Sequence, residues 1–193
     1  MSLELIKQLR DETGAGINDV KKALDEAGDD MEKAREILRK MGLKLVEKKQ
    51  GREASEGIIG TYIHPPGKIV AVVVLNCETD FVARNDEFKV VAHEIAKQVA
   101  AMSPVYVFSE DVPTEEVDKE KEIQKEILAK EGKSVDMIDK IVEGKIAKYF
   151  EQVCLLEQSY ILNDKMKVKD LLTDATAKLG EKIEIREFAR FVL

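Results

Sequence analysis

The chain has 193 residues, 44% hydrophobic and 36% charged, long enough for a sizeable core in one large domain or two small ones. Its 38 acidic residues outnumber 31 basic ones, and a net charge of −7 argues against a primary role in binding nucleic acid, which calls for a clustered basic surface. The longest unbroken apolar run, Ile69 to Leu75, has seven residues, whereas a membrane-spanning helix needs about 20, so no membrane role is expected.

Residues 1–42 read as three short helices. The opening MSLELIKQLRDE is charged throughout and lacks the apolar centre of a secretory signal. Leu5, Ile6 and Leu9 share a face on the first helix, and TGAG at 13–16 breaks it. Ile17, Val20, Leu24 and Ala27 fall three or four apart on the second, with Gly28 as its stop. Asp30 is a good N-cap for the third, whose apolar face is Ala34, Ile37, Leu38 and Met41 and which Gly42 is expected to end. Helices this short need one another, so a small bundle is expected. Residues 43–56 are mostly charged and read as a helical linker broken near Gly51.

A hairpin follows: residues 57–63, a turn at HPPGK, and residues 69–76. Pro65, Pro66 and Gly67 supply the chain reversal. The second strand is apolar on both faces and should be central to its sheet. Asn85 can cap the next helix, where Phe88, Val91, Ala92, Ile95, Val99 and Met102 keep the helical period. Val105 to Phe108 reads as a short extended piece. A charged stretch from Pro113 to Gly132 precedes a long helix over roughly 135–161. There Ile138, Val142, Ile146, Tyr149, Val153, Leu156 and Tyr160 form a seam for a helical hairpin or for a partner chain. Residues 168–179 form another helix closed by Gly180, and residues 182–193 alternate as a strand, the third of the sheet. The fold class is therefore α+β. A three-helix module (1–42) and a linker (43–56) lead into a core (57–193), in which a small antiparallel sheet packs on helices and a helical hairpin spans about 113–161.

Catalytic patterns fail in turn. In TGAG the third glycine of a dinucleotide fingerprint would fall on Asp19, and after Gly67–Lys68 a P-loop needs Ser or Thr where Ile69 stands. His64 and His93 lack metal-ligand neighbours at suitable spacing, and no GxSxG elbow is present. A hydrolase built on Asp80 and Cys77 has no histidine beside it in the sequence. Cys77 and Cys154 belong to no CxxC pair, which fits a reducing compartment, the cytoplasm. Neither covalent catalysis nor a cofactor is expected, which leaves binding.

Two stretches stand out for binding. In TGAGINDVKKAL, Ile17 and Asn18 open a helix where side chains could reach a partner; the plainer reading is a tight turn between packed helices. In LNCETDFVARNDEF, Thr79, Asp80, Phe81 and Val82 separate a strand from a helix. Phe81 is either a core anchor pinning that connection or an exposed side chain made tolerable by the charges of Glu78, Asp80, Arg84 and Asp86. Asp80 is either a turn-forming carboxylate or part of the same surface.

With these stretches, and with LLEQSYI at 155–161 and GEKIEIREFARF near the end, the chain resembles the bacterial elongation factor Ts family of guanine-nucleotide exchange factors. The resemblance implies a ubiquitin-associated-like module over residues 1–42, an α+β core, and elongation factor Tu as partner, in its GDP-bound and nucleotide-free forms. It further implies that Thr79, Asp80, Phe81 and Val82 displace the magnesium ion of that GTPase, and that Ile17 and Asn18 contact its nucleotide domain. This chain has room for one α+β unit where longer relatives duplicate it, and short relatives can pair into homodimers. The alternative is an adaptor whose helical module docks a peptide or ubiquitin-like partner without affecting nucleotides.

Overall fold

The computed structural model describes residues 2–193, without the side chains of 135 and 136; Met1 of the expected first module lies outside the described residues. Helix α1 (Leu3–Thr13) starts at Ser2, whose hydroxyl accepts from the Glu4 amide, and ends where Gly14 turns left-handed at φ 65°. Helix α2 (Ile17–Ala27) ends the same way at Gly28, and α3 (Met31–Lys49) is capped by Asp30, which accepts from the amides of Glu32 and Lys33. Their apolar stripes meet as expected: Ile6, Leu9, Val20, Ala23, Leu24, Ala34 and Leu38 are buried together. Arg35 of α3 ties the bundle to α1 through Glu12 at 2.8 Å.

Gly42 does not end α3, which runs on to Lys49. Gly42 instead faces α8 (Val168–Leu179), where a Cβ would make ordinary van der Waals contact with Ala177 at 3.5 Å, so the space alone does not demand a glycine. The residues after it, LKLVEKK, are mostly good helix formers and keep the helix going. The expected linker is thus helical for its first half and breaks at residues 50–52.

The main sheet has the order β1 (Glu56–His64), β2 (Ile69–Cys77), β5 (Glu184–Val192), all antiparallel, with β2 central as its sequence predicts. Its inner face, Ala71, Val73, Leu75 and Cys77, is wholly buried beneath α5 (Asp86–Met102), which contributes Phe88, Ala92, Ile95 and Val99. Gly60 lets α5 lie directly on β1, since a Cβ there would stand 2.5 Å from the carbonyl oxygen of Ala92. Alternation places Val70, Val72 and Val74 on the outer face. There they are only partly buried, and Ile59, Ile63 and Phe191 beside them are 67%, 62% and 63% exposed.

Helices α6 (Thr114–Lys130) and α7 (Val135–Val153) form the expected hairpin. Ile138, Val142 and Ile146 of the seam are buried against Leu128, Val117 and Phe150 within the chain. The helix stops at Val153, short of the expected 161. Cys154 and Leu155 are drawn fully into the main core, and a 3-10 turn at Leu155–Glu157 follows. The extended piece expected at Val105 to Phe108 is reduced to a single bridge between Tyr106 and Cys154 with bends around it, the Tyr106 carbonyl accepting from the Leu155 amide at 2.9 Å. Seam positions Leu156 and Tyr160 therefore leave the helix, and Ser159–Tyr160 (β3) pairs instead with Asn163–Lys167 (β4) in a two-stranded ribbon. The buried Gln98 side chain fixes that corner, donating to Gln158 and to the Ser159 carbonyl and accepting from the Ile161 amide. No helix among the described residues is long and apolar enough to cross a membrane.

Candidate functional site

The stretch after β2 is a single helical turn, α4 (Asp80–Ala83). Thr79 caps it: its extended backbone (φ −132°, ψ 156°) carries a hydroxyl that accepts from the Val82 amide. Asp80, the first residue of the turn, pairs with Arg84 one turn on, at 2.8 Å. Within the turn Ala83 is buried and Val82 packs on the core, while Phe81 stands 82% exposed. Phe81 is therefore not a core anchor. The residue that fills that role is Phe88, at 0% exposure.

The turn is held from a distant part of the chain. Glu181, in the connection from α8 to β5, accepts from the Thr79 amide at 3.0 Å and from the Thr79 hydroxyl at 2.7 Å. The tie is returned by Glu78, which accepts from the Lys182 amide at 2.6 Å. Two adjacent residues on each side thus exchange carboxylate-to-backbone bonds. The Cys77 thiol adds a bond to the Thr79 carbonyl at 3.2 Å.

Glu78 is not the solubilising surface charge that its neighbourhood in the sequence implies. Its side chain is 16% exposed and also binds Lys49 and Arg52, each at 2.9 Å. The Lys182 amide, then Lys49 and Arg52, hold its carboxyl down at about 2. Lys49 is the last residue of α3 and is itself buried, so the helix that begins in the N-terminal bundle ends on the residue next to the turn.

At the other stretch, the tight-turn reading of TGAG holds for the backbone. Gly14 closes α1, and Gly16 precedes α2 with an extended backbone. Ile17 occupies the first position of α2 at 47% exposure, with Asn18 exposed beside it. A groove of about 810 Å³ runs between bundle and core, and its walls include Thr13 and Ala15 on one side and Asp86, Glu87 and Val90 at the start of α5 on the other. The loop before Ile17 and the helix after Phe81 therefore line one concavity.

Burial pushes the thiols of Cys77 and Cys154 up to about 11, so neither is a ready nucleophile near neutrality. Among the described residues no group of three or more His, Cys, Asp or Glu could hold a metal ion. Sequence reasoning missed Glu181 and Lys182 entirely. They lie about a hundred positions beyond the turn, and no local pattern marks a carboxylate that reaches so far.

A family model described as elongation factor TS matches residues 3–193. Proteins called elongation factor Ts from Thermotoga petrophila, Carboxydothermus hydrogenoformans and Myxococcus xanthus are 57%, 53% and 49% identical to this chain. The alignments cover 99%, 98% and 100% of this chain and 95%, 88% and 88% of those relatives.

Proposed function

From the premise that the chain belongs to the elongation factor Ts family, we propose that it binds elongation factor Tu carrying GDP and speeds release of the nucleotide. No covalent bond changes. Phe81, with Thr79, Asp80 and Val82 shaping its turn, enters the partner's nucleotide domain and moves the groups that ligate its magnesium ion. That ion offsets phosphate charge, so displacing it loosens GDP. Ile17 and Asn18 hold the same domain from the bundle side, and the emptied GTPase is then free to take GTP. Coupling is reciprocal: the factor weakens GDP binding by the same ratio by which GDP weakens factor binding. Such a protein works in the cytoplasm and needs no cofactor.

The observation that carries this reading is the 82% exposure of Phe81 on a turn whose other apolar residues are packed down. An aromatic offered to solvent on a fixed backbone suits a partner pocket better than it suits the free protein. The test is release of a fluorescent GDP analogue from elongation factor Tu. The factor should accelerate release and should bind the nucleotide-free GTPase more tightly than the GDP form. Equal affinity for the two forms, with no acceleration, would favour an adaptor instead.

The outer sheet face supports a second element of the proposal, pairing of two copies. Ile59, Ile63, Val72 and Phe191 make it apolar and largely uncovered. Twisted sheets pack face to face, and a two-fold axis lets one such surface complement itself.

A further inference from the structure

We propose that Glu181 is a positioning residue for nucleotide release: it fixes Thr79, and through Thr79 the direction in which Phe81 is presented before the partner arrives. The proposal rests on the reading of Phe81 as the side chain that enters the partner.

Phe81 points into solvent, so its orientation comes from the backbone of its turn. One end of that turn is fixed by Val82 and Ala83 in the core. The other end is Thr79, and there the carboxylate of Glu181 takes both the amide and the hydroxyl. The second bond matters for the cap. With its proton committed to Glu181 at 2.7 Å, the Thr79 hydroxyl turns a lone pair to the Val82 amide at 3.4 Å. Glu181 therefore holds the Thr79 side chain in the rotamer whose oxygen accepts from the Val82 amide at the start of the helical turn.

The carboxylate is not needed to place its own segment. Lys182 next to it is already held by Glu78, Ile183 and Ile185 are buried in the core, and β5 pairs with β2 from Glu184 onward. Its own segment therefore has other anchors, whereas the Thr79 end of the turn depends on this carboxylate. Ordering a side chain before binding removes that cost from the association step, so the effect reaches the rate of release and not the fold alone.

The experiment is a cycle of four proteins: the parent, Glu181→Ala, Phe81→Ala and the double variant. Each is assayed by stopped-flow release of fluorescent GDP across a range of factor concentrations and by thermal melting. In the parent, Glu181→Ala removes both bonds to Thr79 and should lower the maximal release rate about tenfold or more, at least the worth of one charge-assisted hydrogen bond. The half-maximal factor concentration should move little, and the melting temperature should fall by a few degrees, less than for Phe88→Ala. In the Phe81→Ala background the same substitution should have no further effect, and Glu181→Gln, which keeps a carbonyl acceptor for Thr79, should recover most of the rate. Should Glu181→Ala melt too low to assay, Thr79→Val removes the hydroxyl partner and carries the same cycle. An equal loss in both backgrounds, or no loss beside a slow Phe81→Ala, overturns the positioning role and leaves the Phe81 reading intact. Normal exchange by Phe81→Ala overturns both.

Discussion

Two phenylalanines seven positions apart allow the central premise to be tested within one protein. Phe81 is 82% exposed and Phe88 is 0% exposed. A phenylalanine side chain buries roughly 200 Å² when fully enclosed, so Phe81 buries only about 40 Å² in the free protein. At about 25 cal/mol per Å² its removal should cost about 1 kcal/mol, a fall of roughly 2–4 °C in melting temperature for a chain of this size. Phe88→Ala leaves a core cavity and should cost about 3–5 kcal/mol. For exchange the order reverses. If Phe81 fills a partner pocket, Phe81→Ala loses about 2–4 kcal/mol of binding in the exchange transition, or roughly 30- to 1000-fold in rate. Phe88→Ala, assayed at a temperature where it is folded, should exchange nearly normally. The assay is thermal melting of each variant beside stopped-flow GDP release. A Phe81→Ala protein that melts as low as Phe88→Ala, or that exchanges at the parent rate, would refute the reasoning.

Four further outcomes follow from the geometry. Glu78 has its carboxyl depressed from 4.5 to about 2, so its contribution to stability is present above about pH 4.5 and lost as the pH falls towards 2; the melting-temperature difference between parent and Glu78→Gln should shrink across that window, and a constant difference would contradict the assignment. Gly60→Ala would drive a methyl into the Ala92 carbonyl at 2.5 Å and should cost about 1–3 kcal/mol by overpacking, seen as a lower melting temperature. Ile17→Ala, at an exposed helix start, should weaken binding to the nucleotide-free GTPase in a titration without changing the melt; unchanged affinity would remove the bundle from the interface. Phe191→Glu should leave a monomer in sedimentation at micromolar concentration while the parent is a dimer, and identical sedimentation of the two would exclude the outer sheet face as the pairing surface.

Much of this architecture was legible from residue periodicity. The bundle helices, the central strand and α5 each announce themselves because their burial is one-sided or complete, and apolar spacing reports burial. The seam of α7 was read correctly as far as Ile146 and too far beyond it. Spacing cannot distinguish Leu156 on a helix from Leu156 on a bend that carries Leu155 into another core. Gly42 misled for a related reason, since a glycine that stops a helix and one in mid-helix at a packed face look alike until the neighbouring helix is known. At the site, the exposed placement of Phe81 ran against the burial expected of an aromatic, and composition alone favoured the core. The ties made by Glu181, Lys182 and Lys49 were illegible because each joins segments far apart in the chain.

Helix α3 has a consequence of a different kind. Its 19 residues, at a rise of about 1.5 Å each, make a strut of roughly 28 Å. It is pinned along its length by Arg39 on Asp170, by Gly42 against Ala177 and by Lys49 on Glu78. Under the proposed function the molecule is a bivalent ligand whose two heads, Ile17 and Phe81, are joined by a beam instead of a tether. A flexible tether would let each head find its site in any conformation of the partner, with the local concentration set by chain statistics. A beam offers the second head at one displacement and one angle. Both heads seat together only on a GTPase whose two contact patches stand at that same separation, and the shape of the partner that satisfies this gauge is the shape the factor stabilises.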